Sequence, residues 1–266
     1  MTDTKTLAAR AALIVCAGLS MGLCLPAIAQ DNDRNAQDFA KRIDPTDFKH
    51  RFDLRNEYFD FSGGEYVNQV VPRGEYAVSR TLAFRAELPI VTYDSGQPGA
   101  GTDFGIGNLL TRVAWRAART ESYAFVMGTE AIFDTASRDT LGQSKNVVAP
   151  FAFMAIELPR WNSIFFPYIQ YYHSVSGDDA QPDVRVTNPR TSLLTRWPKR
   201  TYTFVEASYF IDHERSDRVG ATLKTELGRF YTSNTGLYVR PGIGLYRNDL
   251  PQVFNWSMEI GMRHLF

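Results

Sequence analysis

The sequence predicts an all-β protein: a transmembrane antiparallel up-and-down β-barrel of about twelve strands, with both termini in the periplasm. Three observations predict it. The last stretch, 253–266 (VFNWSMEIGMRHLF), alternates apolar and polar residues down to Phe266. A short apolar leader stands at the opposite end of the chain. Between them runs a series of alternating segments parted by turn residues, the pattern of strands that are greasy outside and wet inside.

The leader comes first. Lys5 and Arg10 give a basic start, 11–25 is almost wholly apolar, and Pro26-Ala27-Ile28-Ala29 closes it on small residues. This is the pattern of a cleavable secretory signal over 1–29, too short to favour a spanning helix. Cys16 and Cys24, the 2 cysteines of the chain, both lie in it. The processed chain therefore offers neither a disulfide framework nor a thiolate metal site. Removing Asp3, Lys5 and Arg10 from 29 basic and 29 acidic residues leaves 27 and 28. Such a balance argues against a nucleic-acid partner, which asks for a basic excess. Beyond residue 29 no apolar run approaches the roughly eighteen residues of a membrane helix.

Residues 30–49 are polar and charged, and read as a periplasmic lead-in with a short helix around 34–43. The barrel then occupies 50–266. Its expected strands are 50–61, 65–72, 77–91, 104–117, 122–134, 146–158, 164–176, 184–196, 200–212, 217–229, 235–247 and 253–266. Short turns are expected at Arg73-Gly74, 119–121, 160–162, 197–199 and 232–234, and longer loops at 92–103, 135–145 and 177–183. Short and long connections alternate, as barrels with periplasmic turns and outer loops require. Pro150, Pro167 and Pro241 fall within strands and predict bulges or strand ends, because a closed barrel has no free edge to excuse a missing donor.

Face assignments follow from the two-residue period. The row Phe254, Trp256, Met258, Ile260, Met262, His264 and Phe266 faces lipid and resembles the terminal signal read by the bacterial barrel assembly machinery. Aromatics near strand ends (Tyr58, Phe59, Trp161, Phe165, Phe166, Trp197, Phe230, Tyr231) are expected in interface girdles. Inward-facing charges are Arg85, Glu87, Arg112, Arg116, Glu130, Lys224, Glu226, Arg240, Glu259 and Arg263. On the lipid face a charge costs roughly 2–4 kcal/mol at the midplane, whereas inside it is tolerated when paired or wetted. Inward aromatics are Phe166, Tyr168, Tyr172, Tyr238 and Tyr246. Together these residues are the candidate lumen, either a polar constriction and solute path or an ion-paired filling.

The stretch Thr102-Asp103-Phe104-Gly105-Ile106-Gly107-Asn108-Leu109 resembles a "TGIGDL"-type signature of an outer-membrane family, the MetA-type transporters associated with the meta pathway of phenol degradation. Phe104 and Asn108 stand where that family has Gly and Asp. The stretch 137–145 (SRDTLGQSK), followed by Ala149-Pro150, is similar to its "D-x-LG-x-GK…P" segment, with Ser144 for a Gly. The resemblance implies an outer-membrane barrel that passes small hydrophobic or aromatic solutes, and it brings no catalytic residues.

The sequence therefore points to a channel in the outer membrane of a Gram-negative bacterium, with lipid, the assembly machinery and a small hydrophobic solute as partners. A structural or adhesive barrel is the alternative. A lipid-modifying barrel enzyme would need a serine beside a histidine. His173 fails this, because Ser174 and Ser176 lie an odd number of residues away on the same strand and face the other side. No enzyme activity, cofactor or metal is expected.

Overall fold

The computed structural model describes residue 39, residues 43–246 and residues 250–266. The expected leader and most of the lead-in lie outside these. The alternating segments become β1 (Arg51–Asp60), β2 (Tyr66–Ala77), β3 (Leu82–Glu87), β4 (Ile90–Asp94), β5 (Thr102–Ile106), β6 (Leu109–Arg119) and β7 (Tyr123–Phe133). They continue as β8 (Lys145–Leu158), β9 (Ser163–Gly177), β10 (Arg185–Trp197), β11 (Thr201–Asp212), β12 (Arg218–Phe230), β13 (Thr235–Tyr246) and β14 (Trp256–Leu265). Each pairs antiparallel with its neighbours, and β1 pairs with both β2 and β14, so the sheet closes on itself. β3 and β4 pair with successive parts of β2, and their partners β6 and β5 are likewise two parts of one strand. The 14 segments thus make a barrel of 12 strands, as the sequence predicts. Among the described residues no helix is long and apolar enough to cross a membrane, which says nothing of crossing by strands.

An even strand number puts the start of β1 and the end of β14 at the same rim. That rim also carries the short turns 78–81, 120–122, 159–162, 198–200 and 231–234, while the longer loops stand at the other. The expected turn at Arg73-Gly74 is a correction: both residues lie inside β2, with Arg73 opposite Asp53 and Glu87. The chain turns instead at 78–81, where Ser79 Oγ accepts from the Thr81 and Leu82 amides at 3.1 Å. A serine can imitate a backbone turn in this way without Gly or Pro.

The prolines bring a second correction. No bulge or strand end marks them. Pairing between β8 and β9 lapses at Ala149–Pro150 and again opposite Pro167, that between β10 and β11 at Asn188–Pro189, and that between β12 and β13 opposite Pro241. The register is the same on either side of each lapse. The irregularities that do shift register lie at Ala117, Val175 and Leu245. At Pro189 the lost donor is replaced: Asn188, 2 % exposed, donates through Nδ2 to the Tyr209 carbonyl at 2.6 Å. Asn188→Leu leaves that carbonyl unmet and is expected to cost about 1–3 kcal/mol. Urea unfolding from lipid vesicles checks this, and an unchanged midpoint refutes it.

The outer face carries the expected row Trp256, Met258, Ile260, Met262 and Phe266, all exposed, with His264 half-buried. Phe254 does not belong to it. β14 begins at Trp256, and Leu250, Val253 and Phe254 are buried, Phe254 against the Phe59 ring at 5.6 Å. Aromatics do gather outside at both rims, with Tyr58 stacked between Tyr66 and Trp256 at one and Trp161, Trp197 and Tyr231 at the other. Phe59 and Phe230, expected in the girdles, instead lie among inward-facing residues, as does Phe166, which alternation also places inward.

Candidate functional site

Inward positions of β1 read Arg51, Asp53, Arg55, Glu57, those of β2 Gln69, Arg73, Glu75, those of β3 Arg85, Glu87. Alternate residues of adjacent strands meet in register, so these charges tile one wall. Asp53, 0 % exposed, sits among Arg51 and Arg73 at 3.3 Å and Arg263 at 3.4 Å. Glu87 takes Arg55 at 2.7 Å and Arg73 at 2.8 Å, and Glu75 takes Arg85 at 2.7 Å. The network continues through Glu259 and Arg240 to Glu206 at 3.0 Å, and through Arg263 to Glu226 at 3.5 Å. Lys224 stands nearby over the Phe59 and Phe254 rings. Six arginines and this lysine face seven carboxylates, so the wall neutralises itself.

Two tyrosines lie flat against that wall. Tyr238 donates to Glu259 at 2.7 Å and covers Gly261, and Tyr202 donates to Glu226 and covers Gly228. A Cβ on either glycine would come within 2.4 Å of the ring it faces, so glycine is what lets the tyrosine lie down.

The opposite wall is aromatic. Phe151, Phe153, Phe166, Tyr168 and Phe204 form a ladder with ring centroids 5.7–6.4 Å apart. Arg112 stands over Phe151 and Arg190 over Tyr168, each at 3.9 Å. Beside them Gln170, 1 % exposed, accepts from the Tyr168 and Tyr172 hydroxyls at 2.9 and 3.0 Å and from Arg190, and donates to Glu130 at 2.6 Å.

The rim near the termini is stopped by the chain's own start. Residues 39 and 43 are helical. Phe39 is buried edge-on to Phe230 at 5.9 Å, and with Ile43 it packs among Ala124, Ala155, Ile164 and Leu194. Phe48 packs against Ala114, Val126 and Phe151. Arg116 donates to the Thr46 carbonyl at 2.7 Å, and Arg119 pairs with Asp44 at 3.3 Å. Between this segment and the wall remains a gap of about 20 Å³, close to the room that one water needs.

Most of the expected lumen residues therefore meet inside the barrel. Phe166 and Arg116 hold the segment at the rim rather than the middle. Tyr246 is a correction: the extra residue Leu245 turns it opposite Ala221, and it is 53 % exposed. The sequence reading passed over Arg51, Asp53, Arg55, Glu57, Arg73, Glu75, Gln170, Arg190, Tyr202 and Glu206. At the rim of longer loops His213 bridges Thr187 through Nε2 at 2.9 Å and Asp217 through Nδ1 at 2.6 Å, bracing β10 to the 213–217 turn. Among the described residues no group of acidic, histidine or cysteine side chains could hold a metal ion.

The two stretches that resemble the phenol-pathway family touch each other. Asp103 accepts from Thr140 at 2.7 Å and pairs with Arg138, and Ser137 Oγ accepts from the Ile106 amide at 3.0 Å. A Cβ at Gly105 would meet Ser137 Oγ at 2.1 Å, so the glycine makes room for the loop.

No family model matches the chain, and no curated protein does. Solved structures do. The COG4313 outer membrane channel from Pseudomonas putida F1 superposes with a TM-score of 0.60 at 13 % identity, over 84 % of this chain and 100 % of its own. The KdgM porin superposes with a TM-score of 0.57 at 10 % identity, over 81 % of this chain and 99 % of its own. At such identities the likeness is one of fold alone: this chain shares the barrel fold of these two proteins.

Proposed function

We propose that the chain is an outer-membrane channel for small hydrophobic or aromatic solutes, with its termini and short turns in the periplasm. The single observation that carries this reading is the described part of the stretch before β1, residue 39 with residues 43–48. It fills the rim where Ala114, Ala124 and Ala155 leave room, which a barrel packed solid by its own wall would not offer. The aromatic ladder gives a solute an apolar track past the charged wall, and the fold shared with channel proteins supports the reading. Passage of small solutes suits a barrel of this size, wider than eight strands that admit only side chains or one small ligand, and narrower than a porin. The outer row of β14 would serve as the assembly signal and the remaining outward residues would meet lipid.

Planar-bilayer recording of the folded protein tests this. Brief unitary current steps, reduced by millimolar benzyl alcohol, are expected. Silence from the full chain and from a variant without 30–48 would favour a structural barrel.

A further inference from the structure

Resting on the channel reading, we propose that the lumen holds an organic anion: a carboxylate on a flat apolar body, seated between Arg112 and Arg190 on the aromatic ladder. The first ground is charge. The large network is neutral, but here two guanidiniums have Glu130, 3.6 Å from Arg112, and beyond ion-pair distance only Glu206, which Arg240 already holds at 3.0 Å. Arg190 has no acidic partner within ion-pair distance among the described residues. Arg85, opposite Arg112 across β3 and β6, is held by Glu75 at 2.7 Å and brings no spare carboxylate to the spot. An uncompensated charge away from water is costly, and a mobile anion removes that cost.

The second ground is the count of acceptors. Arg112 Nε and Arg190 Nε are buried and make no hydrogen bond. The nearest amide oxygen, Gln170 Oε1, already takes three donors, and Glu130 takes the Gln170 amide. The cluster is rich in donors and short of acceptors. A carboxylate supplies two oxygens in the geometry that a guanidinium fork prefers.

The third ground is shape. Phe151 and Tyr168 are 5.7 Å apart and only 7° from parallel, and each already carries a guanidinium on its face. A flat aromatic body is the kind of group this ladder would take at its edge, with its carboxylate on the arginines. A neutral aromatic would gain the stacking but leave the donors unmet, and acetate would do the reverse.

Equilibrium dialysis of the detergent-folded protein with radiolabelled benzoate, benzyl alcohol, benzylamine and acetate tests the site, and bilayer recording runs in parallel. Benzoate is expected to bind saturably, with each of the other three weaker by about tenfold or more, the worth of a charge-assisted hydrogen bond. Arg190→Gln and, separately, Arg112→Gln should each weaken benzoate by a similar factor, Arg190→Lys by less, and Arg185→Gln on the outer rim not at all. Folding of each variant is verified by its heat-dependent gel shift. Equal binding of benzoate and benzyl alcohol, or benzoate binding indifferent to both glutamine variants, overturns the proposal and leaves the channel intact. Benzoate binding with silence from both the full chain and the variant without 30–48 upholds the site and removes the channel.

Discussion

Deleting residues 30–48 from the processed chain is expected to raise open probability and conductance severalfold. The energetics of the segment make it a removable stopper rather than a part of the wall. Burying Phe39, Ile43 and Phe48 returns roughly 1.5–3 kcal/mol each. Fixing the backbone of about ten residues costs roughly 1–2 kcal/mol apiece. The apolar contacts alone do not hold the segment in place. The polar tethers decide the outcome: Arg116 to the Thr46 carbonyl and Arg119 to Asp44. The docked state should therefore be marginal, so the full chain should flicker, and Arg116→Gln should lengthen its open times. Because no cysteine follows Cys24, Phe39→Cys with Phe230→Cys gives a clean lock, closed when oxidised and released by reductant. Traces from the deletion variant indistinguishable from those of the full chain would rule the stopper out.

The barrel was legible because its period is short. Two residues define a face, and most strands lie within two or three residues of where alternation puts them. What went unread depends on register or on a single extra residue. Leu245 is one such residue, and it turns Tyr246 from the lumen to the outside. Arg73 and Glu75 keep step with Gln69 and Val71, yet Pro72 and Gly74 between them imitate a turn. Arg51 to Glu57 show their alternation openly, but nothing local says that they meet Arg263 and Glu259, some two hundred residues later, until the last strand pairs with the first. Phe39 and Ile43 stand four residues apart, and that spacing does not reveal what covers them. The Gln170 hub and the Arg190 surplus emerge only when five strands are laid side by side.

Asp53→Ala is expected to give the largest loss of stability of any single inward substitution, about 3–5 kcal/mol, the cost of leaving a buried cation without its partner. The reason lies at the seam. Asp53 on β1 gathers Arg263 from β14, Arg51 from β1 and Arg73 from β2, so one carboxylate ties the last strand to the first two. Arg73 keeps Glu87 and Arg263 keeps Glu226 when it is gone, but Arg51 is left facing Glu75 across the strands, with no other carboxylate within 4 Å among the described residues. Asp53→Asn keeps the shape and loses the charge, and should fall between the variant and the native chain. Replacing Arg51 and Asp53 together by leucines should recover part of the loss, because the pair is then absent rather than broken. Since β1 and β14 meet only when the ring closes, Asp53→Ala should also slow the appearance of the heat-modifiable folded band, beyond what the equilibrium change alone implies for unfolding. Urea-dependent folding into vesicles measures both quantities. A stability within about 1 kcal/mol of native, the range of an exposed ion pair, would show that closure is held by the backbone ladder and not by this carboxylate.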